Sequence, residues 1–293
     1  MSIPMESGQD ALAAPHSAGR GGPDFEVPKG ACDCHMHLFD TRLPFAAGAP
    51  LVHGDASGDD YRRLQQRLGL TRNVIVQPSS YGRDHRVLLA GLRALGPAAR
   101  GIAVIAPDVP EEELSALQAA GVVGVRFNLV QHGATDDSML EAVTRRIQHL
   151  GWHIQLHLHT RDLLRLASRL AALPVPIVLD HFARVNADTA LASQVAEQVE
   201  RLLDTGRAWL KLSAPYIASL DAPAYANLDA FVQKLLQRHP DRLVWGSDWP
   251  HVTEADKPDD AQLLSLLALW APDEDLRKRL LVDNPQRLYG FRS

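Results

Sequence analysis

Two histidines separated by a single residue, His35 and His37, sit inside the run Cys-Asp-Cys-His-Met-His at 32–37. On an extended strand residues i and i+2 point to the same face, so the two imidazoles project together. Imidazoles arranged in this way can hold a divalent cation or polarise a substrate. Far along the chain, Val-Trp-Gly-Ser-Asp-Trp-Pro-His at 244–251 closes an apolar run with the carboxylate of Asp248. Packing alone explains a carboxylate in that position poorly. Beside the two histidines, Asp248 would complete a hydrolytic centre, with imidazoles to polarise a carbonyl and a base to take a proton from water.

The intervening chain must supply the scaffold. From Gly30 it alternates short runs rich in Val, Ile and Leu with helical patterns. Strands are expected over 31–37, 72–77, 101–106, 123–129, 153–159, 176–181, 208–213 and 243–248. Helices are expected near 60–69, 84–95, 110–120, 137–150, 162–172, 189–205, 225–238 and 259–270. Pro110 with three following Glu residues reads as a helix start, and Gly121 and Gly151 read as helix ends. Strand–helix units in this number predict an α/β fold, a (β/α)8 TIM barrel forming one domain over 29–293. A doubly wound sheet is the alternative, but no Gly-x-Gly-x-x-Gly loop follows a strand. Residues 1–28, rich in Gly, Ala, Pro and Ser, read as a flexible N-terminal arm.

Barrel chemistry gathers at the C-terminal strand ends, and polar residues collect there in this sequence. The second strand leads to Gln77, Ser79 and Ser80, and the fourth carries Arg126 and Asn128 on one parity. The fifth alternates His153, Gln155, His157 and His159 with Ile154, Leu156 and Leu158. The sixth ends in Asp180 and His181, with Arg184 beyond; the seventh offers Lys211 and Ser213, then Tyr216; the eighth delivers Asp248, then His251.

The expected metal set is His35, His37, His157 and Asp248, with an open position for water. His157 is preferred over His153, which should lie too deep, and over His159, which falls towards the loop. Zinc suits this donor set, with manganese or a metal-free mechanism as other readings. Asp248 is the expected catalytic base, with His181 as an electrophilic helper or a further ligand. Substrate contacts are expected among Ser79, Arg126, Asn128, Arg184, Tyr216 and His251. Arg126 either pairs with a barrel carboxylate or binds an anionic substrate. Asp180 reads as a buried hydrogen-bonding carboxylate. Cys32 and Cys34 read as small residues packing away from the histidine face.

Composition narrows the partners. The 293 residues carry a net charge of −5 without a Lys/Arg cluster, which argues against a nucleic-acid binder. No apolar run reaches membrane-spanning length, and no basic segment followed by an apolar one opens the chain. With two neighbouring cysteines ill-placed to bridge, a reduced, cytoplasmic protein acting on a small molecule is expected. Nothing in the sequence specifies an oligomeric state.

Six segments together resemble the amidohydrolase superfamily, in particular its branch containing 2-pyrone-4,6-dicarboxylate lactonase. They are Asp-Cys-His-Met-His at 33–37, Arg-Asn-Val-Ile-Val-Gln at 72–77, Gly-Val-Arg-Phe-Asn at 124–128, Pro-Ile-Val-Leu-Asp-His-Phe-Ala-Arg at 176–184, Trp-Gly-Ser-Asp-Trp-Pro-His at 245–251 and Asn-Pro-Gln-Arg-Leu-Tyr at 284–289. The resemblance implies hydrolysis of a lactone by water activated at Asp248. It implies carbonyl-polarising or metal-ligating roles for His35, His37 and His181, and substrate-carboxylate contacts at Arg126 and Arg184. The chain departs from the pyrone lactonase in having His157 where that enzyme has a tyrosine, which makes it look closer to metal-dependent members. It also lacks further cationic residues in the loops reading Leu-Val-Gln-His at 129–132 and Ser-Ala-Pro-Tyr at 213–216. The implied substrates are therefore 2-pyrone-4,6-dicarboxylate, a muconolactone or a sugar-acid lactone. The alternatives are a metal-dependent decarboxylase of an unsaturated or aromatic acid, a lactone isomerase and, least favoured, a non-catalytic barrel that binds a small acid.

Overall fold

The β-branched and aliphatic runs form eight parallel strands hydrogen-bonded in chain order, here in a computed structural model that describes residues 13–49, 51–131 and 133–292. The strands are β1 (Cys32–Met36), β2 (Arg72–Val76), β3 (Ala99–Ala103), β4 (Val122–Asn128), β5 (His153–His157), β6 (Ile177–Leu179), β7 (Ala208–Ser213) and β8 (Leu243–Gly246). The helices are α1 (Gly58–Leu68), α2 (Arg86–Leu95), α3 (Glu111–Ala120), α4 (Leu140–Ile147), α5 (Thr160–Ala172), α6 (Ala192–Asp204), α7 (Pro215–Ala218), α8 (Asp229–Arg238), α9 (Asp260–Trp270), α10 (Glu274–Lys278) and α11 (Asn284–Tyr289). Local chemistry sets their ends. Ser57 and Asp60 form a capping box on α1, and left-handed Gly69 and Gly121 terminate α1 and α3.

The sheet closes where β1 meets the end of β8. His37 N–H donates to the Trp249 carbonyl and Asp248 N–H to the His35 carbonyl, each at 2.8 Å. Gly246 makes this approach possible: a Cβ there would stand 2.7 Å from His35 Cβ and 2.8 Å from its backbone nitrogen. Barrel closure and the meeting of Asp248 with His35 are thus one event.

Inside the barrel, Cys32, Cys34, Val74, Val76, Ile102, Val178 and Val244 form an apolar floor, plugged by Tyr289 and Phe291 from the C-terminal segment. The larger core lies between the sheet and the helices. The cysteines therefore do not pack outward as the strict alternation predicted. The β1–β2 register passes from Asp33↔Asn73 to Met36↔Ile75, so β1 carries one extra residue. Such a bulge lets Cys34 and His35 share the barrel side of the sheet.

Two other expectations change. β3 starts at Ala99 because a 3-10 turn, Gly96–Ala98, follows α2 directly and the strand then pairs from Asn73↔Ala99 to Val76↔Ile102. The described part of the expected N-terminal arm is docked on the barrel. Pro15 and Ala18 carbonyls accept from Trp249 Nε1 (2.7 Å) and Arg67 Nη1 (2.9 Å), and Arg67 also ion-pairs with Asp259. These donors satisfy backbone groups that a free arm would leave to water. The first 12 residues lie outside the described residues. Among the described residues no helix is long and apolar enough to cross a membrane.

Candidate active site

Asp248 leaves the end of β8 with a left-handed backbone, φ 66°, that turns its carboxylate over the barrel mouth. Three imidazoles converge on one of its oxygens. His35 Nε2 and His37 Nε2 lie 3.5 Å from Oδ1, and His181 Nε2 lies 3.8 Å from it. All four side chains are buried.

Hydrogen-bond partners fix one tautomer outright. His37 Nδ1 faces the Val76 carbonyl at 2.7 Å, and a carbonyl only accepts, so Nδ1 carries the proton. The lone pair of a neutral His37 is then on Nε2, 3.3 Å from His35 Nε2. His35 Nδ1 sits between Lys211 Nζ and Asp180 Oδ1, 3.3 Å from each. Two arrangements satisfy this ring. Lys211 can donate to Nδ1, placing a proton on Nε2 to fill the gap towards His37 and Asp248. Alternatively Nδ1–H can donate to Asp180, presenting a second lone pair to that gap.

Beneath His35 lies a buried polar layer. Lys211 donates to Gln155 Oε1 (2.6 Å), Gln155 Nε2 donates to Asp180 Oδ2 (3.0 Å), and Lys211 Nζ stands 3.4 Å from Asp180 Oδ1. Burial pushes the Asp180 carboxyl up, but Lys211 and His35 outweigh it and hold it well below the usual carboxylate range. Burial pushes His35 and His181 down, towards the neutral forms that act as ligands or electrophiles. Burial would likewise raise Asp248; the surrounding imidazoles, His181 first, outweigh it and keep the carboxylate ionised.

His181 opens a run of four consecutive left-handed residues, His181, Phe182, Ala183 and Arg184, with φ between 51° and 55°. Each non-glycine residue in this region costs about 1–2 kcal/mol. Strain of this kind concentrates at functional sites. The turn sends His181 to Asp248, with its Nδ1 3.0 Å from Ser213 Oγ, and carries Arg184 into the outer cleft.

The cleft above Asp248 is lined by His37, Phe39, Leu51, Ser79, Arg126, Asn128, His157 and His181, among others. Phe39 and Leu51 come from the 38–58 segment, so this loop forms part of the mouth wall. Arg126 is buried and donates from Nη1 to the Gln77 carbonyl (2.9 Å), while its Nε has no partner. Among the described residues no carboxylate lies within ion-pair distance of Arg126 or Arg184. Asn128 donates to Ser79 Oγ at 2.8 Å. His157 is buried with neither ring nitrogen bonded, its ring centroid 4.8 Å from that of His181. It stands outside the convergent group, against the cleft. His153 packs lower, against Tyr289, and His159 lies exposed just before α5.

The remaining two expected substrate contacts meet Asp248 from its other side, with Tyr216 also lining the outer cleft beside Arg184. Tyr216 donates to Asp248 Oδ2 at 2.9 Å, and its oxygen lies 2.9 Å from His251 Nδ1. His251 is fully buried, with Nε2 3.0 Å from Asp260 Oδ2, so both its ring nitrogens face protein groups.

The donor set fits a divalent cation. His35, His37 and Asp248 offer ligand atoms that all lie within 4.8 Å of one another. Nitrogen and oxygen donors at this separation match zinc-type sites.

Comparison with known proteins places this geometry. The amidohydrolase family model matches residues 32–291. The chain belongs to the amidohydrolase family. It is 35% identical over 281 residues to a 2-pyrone-4,6-dicarboxylate hydrolase of Comamonas testosteroni, covering 91% of this chain and 92% of that one. It is 35% identical over 296 residues to a 4-sulfomuconolactone hydrolase of Rhizobium radiobacter, covering 98% and 97%. An apo crystal structure from Agrobacterium tumefaciens superposes with a TM-score of 0.87 at 31% identity, covering 94% of this chain and 99% of that one.

Sequence reasoning on this amidohydrolase overlooked several partners. Gln155 and Lys211 had the inward parity, a signal that a polar layer lay below the histidines, but nothing paired them with Asp180 and His35. Asp260 carried no signal: an acid at a helix start reads as an ordinary capping residue.

Proposed function

We propose that this amidohydrolase opens a lactone that carries a carboxylate or sulfonate group. The observation that carries the reading is the convergence of His35, His37 and His181 on one oxygen of Asp248, beside a buried guanidinium with no carboxylate within ion-pair distance among the described residues. The substrates in the names of both relatives are anionic lactones, which agrees with an Arg126 that lacks an acidic partner. A small anionic molecule is therefore the partner this cleft favours.

In the proposed reaction the Arg126 side chain binds the substrate's anionic group and orients the ring. Asp248 takes a proton from water as the water oxygen bonds to the lactone carbonyl carbon. The imidazoles stabilise charge developing on the carbonyl oxygen. The ring C–O bond then breaks, and Asp248 returns the proton to the leaving oxygen. His35, His37 and Asp248 would hold a divalent cation, with His181 beside them; zinc is favoured, and when bound it would supply Lewis-acid polarisation. His157 remains a further candidate ligand or a substrate contact. The buried thiols of Cys32 and Cys34 support a reduced, cytoplasmic setting.

The test is a panel of 2-pyrone-4,6-dicarboxylate, muconolactones and sugar-acid lactones, with products identified. A ring-opened acid formed by the native protein, and a loss of roughly 1,000-fold in Asp248→Asn, support the proposal. Release of carbon dioxide, or a shifted ester without water uptake, would replace it with decarboxylation or isomerisation.

A further inference from the structure

The catalytic carboxylate has two oxygens, and the second is spoken for. Asp248 Oδ2 accepts from the Tyr216 hydroxyl at 2.9 Å. The same hydroxyl oxygen lies 2.9 Å from His251 Nδ1, and His251 Nε2 lies 3.0 Å from Asp260 Oδ2. The direction of each bond follows from the chemistry. A carboxylate only accepts, so Tyr216 spends its one proton on Asp248. Its oxygen can then only accept, so His251 donates from Nδ1. Asp260 is also an acceptor, so the full set of bonds has His251 donating from Nε2 as well, as an imidazolium paired with the Asp260 carboxylate.

The Tyr216 proton and both ring nitrogens of His251 are thereby engaged within the chain of bonds, while one face of Tyr216 lines the outer cleft. His251 and Asp260 are fully buried. The members come from separate elements: Tyr216 from α7, Asp248 and His251 from the loop after β8, and Asp260 from the first turn of α9. The backbone is bent to present them. Ala214, Asp248 and His251 all have left-handed φ, at 48°, 66° and 56°, and none is glycine. His251 N–H also donates to the Asp248 carbonyl at 2.9 Å, tying the two residues through the main chain.

We propose that Tyr216, His251 and Asp260 are positioning residues that hold the Asp248 carboxylate in one rotamer, so that Oδ1 faces the three imidazoles. Turning the carboxylate would strand a buried hydroxyl and carboxylate oxygen, a cost that keeps Oδ1 where water must be deprotonated. Misplacing a reacting group by about 1 Å costs on the order of 100-fold in rate. This inference rests on the reading of Asp248 as the base, and it replaces the substrate-binding role expected for Tyr216 and His251.

The experiment compares Tyr216→Phe, His251→Gln and the double variant with the native protein, by lactone-opening kinetics and by crystal structures. Tyr216→Phe keeps the ring and removes only the hydroxyl. The expected result is a kcat lowered roughly 10- to 100-fold with KM within about twofold. The double variant should lose no more than Tyr216→Phe alone, because His251 acts only through that hydroxyl. In the Tyr216→Phe crystal Oδ1 should have moved away from His35 and His37. A raised KM with unchanged kcat would make Tyr216 a substrate contact and overturn the proposal. So would losses that multiply in the double variant, or an Asp248 carboxylate that stays in place without its hydroxyl. If the native protein opens no lactone, the functional reading fails, while the carboxylate position in the two crystals still decides the brace.

Discussion

The Nε2 atoms of His35 and His37 lie 3.3 Å apart, although the bond from His37 Nδ1 to the Val76 carbonyl leaves its Nε2 with a lone pair when the ring is neutral. Asp248 Oδ1 is 3.5 Å from both. Acceptors that close together call for a positive particle between them, either a proton held by His35 or a cation. We expect the cation, because two imidazoles and a carboxylate suit one. Protein supplied with zinc is expected to retain about one equivalent per chain, and His37→Ala and Asp248→Asn to retain far less. Elemental analysis after exhaustive dialysis decides it. Equal metal in all three proteins would place the ion elsewhere, and no metal in any would leave the proton on His35 Nε2 with Lys211 donating to Nδ1.

Gly246 is the tightest point of the seam between β1 and β8. A methyl group there meets His35 Cβ and its backbone nitrogen at 2.7 and 2.8 Å, and backbone cannot swing aside. Gly246→Ala should therefore push His35 away from Asp248 and loosen the barrel closure. Overpacking of this kind costs about 1–3 kcal/mol. The expected signature is a lower urea midpoint together with a loss of activity. A variant with native stability and turnover would mean that the seam relaxes freely.

Much of this site was legible because barrel strands put chemistry at their ends. His35, His37, Arg126, Asp180, His181 and Asp248 each close or follow an apolar run, and the fold brings them to one mouth. The bulge in β1 was hidden because Cys-Asp-Cys-His-Met-His can be threaded with or without an extra residue. The left-handed turn at 181–184 was hidden too, since it contains no glycine to announce it. Tyr216, His251 and Asp260 were visible only as polar residues in loops. Their contact depends on how three loops fold over one another, which neither periodicity nor spacing encodes. The docked segment around Pro15 and Ala18 lacks periodicity because its bonds are to Trp249 and Arg67 rather than to itself.

His153 gives the fold an acid limit. It is fully buried against Tyr289, and burial first, then the nearby Lys211, pushes its pKa down to about 3. In the unfolded chain a histidine titrates at about 6.5. Above that pH both states are neutral and the residue costs nothing. As pH falls below about 6.5 the unfolded chain takes up a proton that the folded chain refuses, so stability drops until about pH 3. At pH 5 the loss from this residue is about 2 kcal/mol. His153 also bonds the Val123 backbone, and His153→Asn keeps a donor for that carbonyl while being unable to titrate. Its unfolding free energy, measured in urea at pH 7 and pH 5, should fall less than that of the native protein by about that amount. Parallel losses in the two proteins would show that His153 is not the residue refusing the proton.

Arg126 separates recognition from chemistry. Its guanidinium is buried in the cleft wall, holds the Gln77 carbonyl with Nη1, and has no carboxylate within ion-pair distance among the described residues. Burial lowers its pKa and the more distant Asp180 and Asp248 offset that only in part, which leaves room for a counter-ion at close range. An anionic lactone supplies one. Arg126→Met keeps an unbranched apolar stem and removes the charge. Losing a charge-assisted hydrogen bond costs about 1.5–3 kcal/mol, or roughly 10- to 100-fold. That loss should fall on KM for a carboxylated or sulfonated lactone, and an uncharged lactone of similar ring size should be opened as well as before. Steady-state kinetics on the matched pair of substrates checks this. If both substrates suffer alike, Arg126 acts on Asp248 and the reacting carbonyl rather than on the substrate's anionic group.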